Sequence, residues 1–218
     1  SCTYVGGTTE VASASEGHSI NLFQPGLTFS KSADTALSTV GGVINYVLTL
    51  NNTSSADSPS LVCTITDAKL GINKQVTLDS GVTDVTNAAY TVQADDPDPV
   101  INQAAVTCLP ADFPNVLAGT AVWSVNLFQP AITVAKNGPA YTKQGDVAAY
   151  EVTITNNSSA DAPNLVLTKI EDSLVGNLMD LSNTAVTAST CAPAFTLASG
   201  ASCKVNYDYL VADGSGAN

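Results

Sequence analysis

The residues of this chain best suited to covalent chemistry are its five cysteines. Cys63 alternates with Leu61 and Ile65, and Cys108 with Ala104 and Val106, so each points to the apolar side of a strand. A Cys63–Cys108 bridge is expected; closing a loop of about 45 residues, it would stabilise by about 4 kcal/mol in the chain-entropy picture. Cys191 and Cys203 flank APAFTLASGAS. They are expected to staple a hairpin or loop, for about 3 kcal/mol. Cys2 is left over, either unpaired or bridged to another chain. No CxxC and no Cys/His pair at metal spacing occurs, so the thiols read as structural disulfides of an oxidising compartment.

Other reactive or ligating groups are sparse. The acidic loop at 94–99 (ADDPDP) offers Asp95, Asp96 and Asp98 as Ca²⁺ ligands, without the spacing of a twelve-residue calcium loop. The alternative is a solvated, proline-stiffened turn. No other cofactor is expected. Glycosylation sequons fall at Asn51, Asn52, Asn156 and Asn157, or these are turns built by Asn and Ser side chains. GxSxG, HExxH and phosphate-cradling glycine motifs are missing. One histidine, His18, has no nucleophile motif to serve, so an enzyme is not expected.

These groups must be positioned by strands. Thr, Val, Ser, Ala and Asn dominate the 218 residues, and helical periodicity is missing. In residues 43–50 (VINYVLTL), Ile44, Tyr46, Leu48 and Leu50 share one face. In residues 148–155 (AAYEVTIT), Ala148, Tyr150, Val152 and Ile154 do the same. Both read as half-buried strands, and many short strands between turn signals read as a β-sandwich. The chain has no arginine, seven lysines and 19 acidic residues, for a net charge of −12. That balance excludes nucleic-acid binding, and no apolar run is long enough to insert in a membrane.

The chain also repeats itself. NLFQP occurs at 21–25 and at 126–130, 105 positions apart. Residues 51–67 (NNTSSADSPSLVCTITD) match residues 155–171 (TNNSSADAPNLVLTKIE). The expected fold class is therefore all-β: two tandem immunoglobulin-like sandwiches, residues 26–130 and 131–218. Residues 1–25 are out of register with both. They match the end of the first repeat, with Cys2 near Cys108 and His18 on Trp123, where a packing role is expected. The second repeat, in turn, stops before its closing strands. Either residues 1–25 complete the second repeat of a neighbouring copy by strand addition, or the chain is an excerpt of a longer tandem array.

The order of motifs resembles the conserved repeat named domain of unknown function eleven, found in long surface proteins of bacteria and archaea. The residues that carry the likeness are the first-strand lysines (Lys31, Lys136) and the glycine-to-tyrosine strands (Gly41 to Tyr46, Gly145 to Tyr150). The asparagine pairs that follow, the mid-domain carboxylates (Asp67, Glu171) and the late Asn102 complete it. The resemblance implies an immunoglobulin-like sandwich with a structural or adhesive role at the cell surface.

In that register Lys31, Asp67 and Asn102 sit on the first strand, in mid-domain and near the last strands. A lysine and an asparagine held in an apolar core beside a protonated acid can form an isopeptide bond. Burial lowers the lysine pKa and raises that of the acid. The neutral amine attacks the amide while the acid carries protons. Collagen-adhesin domains resemble this arrangement. The alternative is a surface lysine, a turn aspartate and a loop asparagine. In the second repeat Lys136 and Glu171 match, and the asparagine is Asn218 or one from another chain.

The expected function is that of an extracellular or cell-surface structural protein, a filament, stalk or fibre, with itself as partner in a head-to-tail homopolymer or longer tandem array. The alternative is an adhesin that recognises a glycan or protein through its loops. Tyr4, Phe113 and Phe195 are its loose aromatic candidates.

Overall fold

A computed structural model describes residues 1–12, 14–180, 182–191 and 194–212. Among them there is no helix, so none long and apolar enough to cross a membrane. The described residues are all-β. The leading residues hold one small pair, β1 (Cys2–Thr3) and β2 (Glu10–Ala12), antiparallel to each other.

The first repeat contributes eight strands: β3 (Leu27–Ala33), β4 (Leu37–Ser38), β5 (Val43–Asn52), β6 (Leu61–Asp67), β7 (Ile72–Leu78), β8 (Thr83–Thr91), β9 (Val100–Pro110) and β10 (Leu117–Leu127). Their order is β3-β5-β8 in one sheet and β4-β10-β9-β6-β7 in the other, with β4 parallel to β10. Period-two sequence becomes two-faced strand. Ile44, Tyr46, Leu48 and Leu50 of β5 are buried, as are Leu61, Cys63 and Ile65 of β6 and Val100, Ala104, Val106 and Cys108 of β9. The sheets meet closely. A Cβ on Gly119 of β10 would lie 3.5 Å from Leu27 and Phe29 of β3, an ordinary van der Waals contact across the two sheets. At the start of β5, Gly41 has φ 81°, and a Cβ on Gly42 would lie 2.5 Å from Ser38 Oγ. Glycine at both positions is thus a steric requirement of this turn.

The second repeat repeats half of this plan. Its strands are β11 (Ile132–Asn137), β12 (Val147–Asn156), β13 (Leu165–Leu167), β14 (Glu171–Asp172), β15 (Gly176–Asn177), β16 (Val186–Ser189), β17 (Phe195–Leu197) and β18 (Ser202–Leu210). The order β11-β12-β18 copies β3-β5-β8, and β16 adds a fourth strand. The β13-β17 pair copies β6-β7. No described residues of the second repeat form counterparts of β9 and β10. Its core gathers Val152, Ile154, Leu167, Leu178, Leu197, Val205 and Tyr207. β11 is exposed along its whole length, whereas its counterpart β3 is half-buried.

Each repeat is opened by the same polar clasp. Asn52 Nδ2 donates to Leu78 O at 2.8 Å while its Oδ1 accepts from Ser54 N at 3.0 Å. Asn156 does the same with Leu197 O at 2.9 Å and Ser158 N at 2.9 Å. Ser55 Oγ and Ser159 Oγ accept from Gln24 N and Gln129 N, both at 2.9 Å. The NLFQP segments are thereby tied to the Asn-Ser loops, whose polar residues satisfy backbone groups.

Candidate functional site

Three chemistry-bearing side chains face the core of the first repeat. Lys31 is the inward residue of β3, and Asp67 ends β6. Lys31 Nζ donates to Asp67 Oδ2, and both side chains are 0% exposed. Asp67 Oδ1 accepts from Leu70 N at 3.0 Å, which fixes the carboxylate. Burial pushes the Lys31 ammonium toward its neutral form, against the support of Asp67.

Asn102 stands on β9, the strand paired with β6. Thr66 pairs with Ala105, so Asp67 comes next to Ala104, and Asn102 is the following inward position of β9. It is 1% exposed, and neither its Nδ2 nor its Oδ1 has a hydrogen-bond partner. A buried amide left wholly unsatisfied costs about 1–3 kcal/mol, so its presence demands an explanation. Lys31, Asp67 and Asn102 are thus buried residues in the first repeat, not a surface lysine, a turn aspartate and a loop asparagine.

The second repeat holds a half-copy. Lys136 Nζ donates to Asp172 Oδ2 at 2.7 Å, and Tyr207 Oη donates to the same oxygen at 2.7 Å. Asp172 Oδ1 accepts from Leu174 N at 2.9 Å and Val175 N at 3.3 Å. Lys136 also lies 4.7 Å from the Tyr150 ring centroid, and Tyr150 stacks on Tyr207 at 5.4 Å. Burial opposes the Asp172 charge, but the bonds from Lys136, Tyr207 and the two backbone amides outweigh it and hold this carboxyl well below the usual range. Hydrogen bonds to Asp172 and Tyr207 raise the Lys136 pKa, the reverse of Lys31.

The carboxylate beside Lys136 is Asp172 and not Glu171. Glu171 points outward to Lys169, with its side chain 55% exposed. The alignment through residue 171 runs one position short: residues 51–67 match 155–171 at a shift of 104, whereas Lys31 and Lys136, like Asp67 and Asp172, are 105 apart. The signal lay in the spacing: 36 residues separate lysine and aspartate in both pairs. Tyr207, the second hydrogen-bond partner of Asp172, has no polar counterpart in the first repeat, where Ala88 occupies its place. Asn218 lies outside the described residues.

Both expected disulfides are present. Cys63 and Cys108 are directly opposed on β6 and β9, with Cα atoms 4.0 Å apart, so the bridge ties neighbours within one sheet. Cys191–Cys203 anchors the loop before β18. Cys2 is free and exposed. Asn52 and Asn156 are fully buried and spent on their turns, which leaves no room for a glycan; Asn157 is exposed and Asn51 partly so. In the acidic loop Asp96 accepts from Tyr90 Oη and Gln93 N, Asp98 accepts from Leu127 N, and Asp95 is exposed. Among the described residues no cluster of three or more His, Cys, Asp or Glu side chains could hold a metal ion. His18 is exposed, in place of the packing expected from Trp123. Of the loose aromatics, Phe113 packs edge-on against Phe23 at 4.8 Å, and Tyr4 stands alone in solvent.

No protein-family model matches the chain, and no curated protein matches it significantly. Among solved structures, the chain is similar to the CARDB domain of a Pyrococcus furiosus protein, solved in complex with di-metal ions. The identity is 15% and the TM-score 0.34, over 50% of this chain and 97% of that one.

Proposed function

We propose that the protein is a structural subunit of an extracellular filament, stalk or surface fibre, joined head to tail when residues 1–25 of one copy complete the second repeat of the next. One observation carries this reading. Ile20 and Leu22 match Val125 and Leu127 of β10, 105 positions on, which are 0% and 8% exposed; here Ile20 and Leu22 are 75% and 84% exposed. Among the described residues of the second repeat, none forms a counterpart of β10. There β11 is exposed throughout, and Pro130, Ala131, Ile132, Leu165, Val166 and Leu167 line an apolar groove. Backbone pairing plus apolar insertion suits that groove.

Extracellular placement is supported by the two disulfides, since such bridges persist in oxidising surroundings. The likeness of the motif order to surface-protein repeats points the same way. An adhesin reading lacks support, because the candidate aromatics are scattered. The test is light scattering and electron microscopy of the purified full chain across concentration, beside the Ile20→Asp/Leu22→Asp variant. Assembly of the wild type, lost in a variant whose melting is unchanged, is the expected result. Assembly that survives the double substitution defeats the strand-donation reading.

A further inference from the structure

We propose that Glu16 of one copy forms an ion pair with Lys136 of the next, and that this pair sets the register in which the donated segment lies along β11. The contact rests on the strand-donation reading above and deepens it. The leading segment holds an anomaly. At the offset of 105 residues, Ala14, Glu16, His18, Ile20 and Leu22 fall on Gly119, Ala121, Trp123, Val125 and Leu127, the inward positions of β10. Glu16 therefore puts a carboxylate in a column that β10 fills with uncharged side chains. A charge turned inward is tolerated only against an opposite one.

The first repeat shows where that opposite charge stands. A Cβ on Gly119 would lie 3.5 Å from Phe29. Farther along, Trp123 Nε1 donates to Thr35 O at 3.4 Å, and Asn126 pairs with Leu37 in parallel. The two segments thus advance in the same direction. Ala121, two residues past Gly119, comes level with Lys31, two residues past Phe29. At the same offset Lys31 becomes Lys136 and Ala121 becomes Glu16. The exchange follows the exposure of the lysines: Lys31 is buried, whereas the Lys136 side chain is 42% exposed.

Lys136 has capacity for a second anion. An ammonium carries three N–H donors, and Asp172 takes one. Asp172 also accepts from Tyr207 Oη, Leu174 N and Val175 N, so its charge does not rest on Lys136 alone. Apolar insertion of Ile20 and Leu22 cannot fix the register by itself, because a strand slipped by two residues keeps the same face inward. One charge pair at a defined position penalises that slip.

The experiment is a charge exchange in the full chain, with assembly followed by light scattering against concentration at low salt. Glu16→Lys and Lys136→Glu, each alone, should raise the concentration needed for assembly by about tenfold or more. An equimolar mixture of the two variants should assemble as the wild type does, since every junction of an alternating polymer then joins a carboxylate to an ammonium. Carbodiimide coupling needs no variant and decides the matter even if Lys136→Glu fails to fold. In wild-type assemblies grown from mixed heavy-isotope-labelled and unlabelled chains, it should join the Glu16 peptide of one chain to the Lys136 peptide of another. Glu16→Lys assembling at the wild-type concentration overturns the ion pair and leaves strand donation standing. So does a mixture of folded variants as impaired as its components, or wild-type assemblies in which Glu16 and Lys136 stay unjoined. A wild-type chain that does not assemble overturns both.

Discussion

Lys31 and Lys136 hold the same place in their repeats and each bonds to an aspartate 36 residues on, yet one side chain is 0% and the other 42% exposed. The difference traces to the second sheet. Where β10 lies over β3 the lysine is dry; where no described strand lies over β11 it is wet. The two ion pairs thus share residue types and spacing and differ in solvent access.

The Lys136–Asp172 pair predicts a specific acid sensitivity. Asp172 has a depressed pKa in the folded state. Its contribution is therefore present above the ordinary aspartate pKa of about 4 and is lost as pH falls below that toward the folded value. Lys136 is shifted upward, so its contribution is present below the ordinary lysine pKa of about 10 and fades as pH rises beyond it. Melting of the second repeat, followed by calorimetry, should fall from pH 5 toward strong acid, and Asp172→Asn should flatten that dependence.

Substitution separates the two neighbouring carboxylates. Asp172→Ala removes the partner of Lys136, Tyr207 and two backbone amides and should destabilise by about 1–3 kcal/mol. Glu171→Gln breaks only an exposed pair and should stay within about 0.5 kcal/mol. Urea unfolding of the two variants reads both numbers.

The polar clasps should be as important as apolar contacts. Asn52→Ala strands Leu78 O and Ser54 N in the interior, and Asn156→Ala strands Leu197 O and Ser158 N. Each should cost about 1–3 kcal/mol by chemical denaturation. Glycopeptide mapping should find Asn52 and Asn156 unmodified in native material.

The disulfides should act on separate repeats. Replacing Cys63 and Cys108 together frees a 45-residue loop, for a loss of about 4 kcal/mol, and replacing Cys191 and Cys203 frees a 12-residue loop, for about 3 kcal/mol. Two calorimetric transitions, each moved by one pair only, would show this.

Much of this was legible in the chain. Period-two runs such as 43–50 gave strands because one face must be buried and the other wet. Both disulfides followed from inward alternation and from the extra loop before β18. The Lys31–Asp67 pair was an expectation carried by the family resemblance. Asp172 was missed because the alignment of residues 51–67 with 155–171 is one position short of the 105-residue offset between the lysines, and side-chain direction reverses with each residue. For Asn52 and Asn156 the sequence left two readings, a glycosylation sequon and a turn built by Asn and Ser side chains, and the structure has the turn. The solvent exposure of His18 also escaped, since a copied strand sequence is buried only where a sheet receives it.

The most direct test of the account is electron cryomicroscopy of the native material. It predicts filaments with an axial repeat of two sandwiches, in which density for residues 1–25 of one subunit lies beside β13 and over β11 of the next. Rods in which the second repeat is closed by residues of its own chain, with residues 1–25 placed elsewhere, would contradict it.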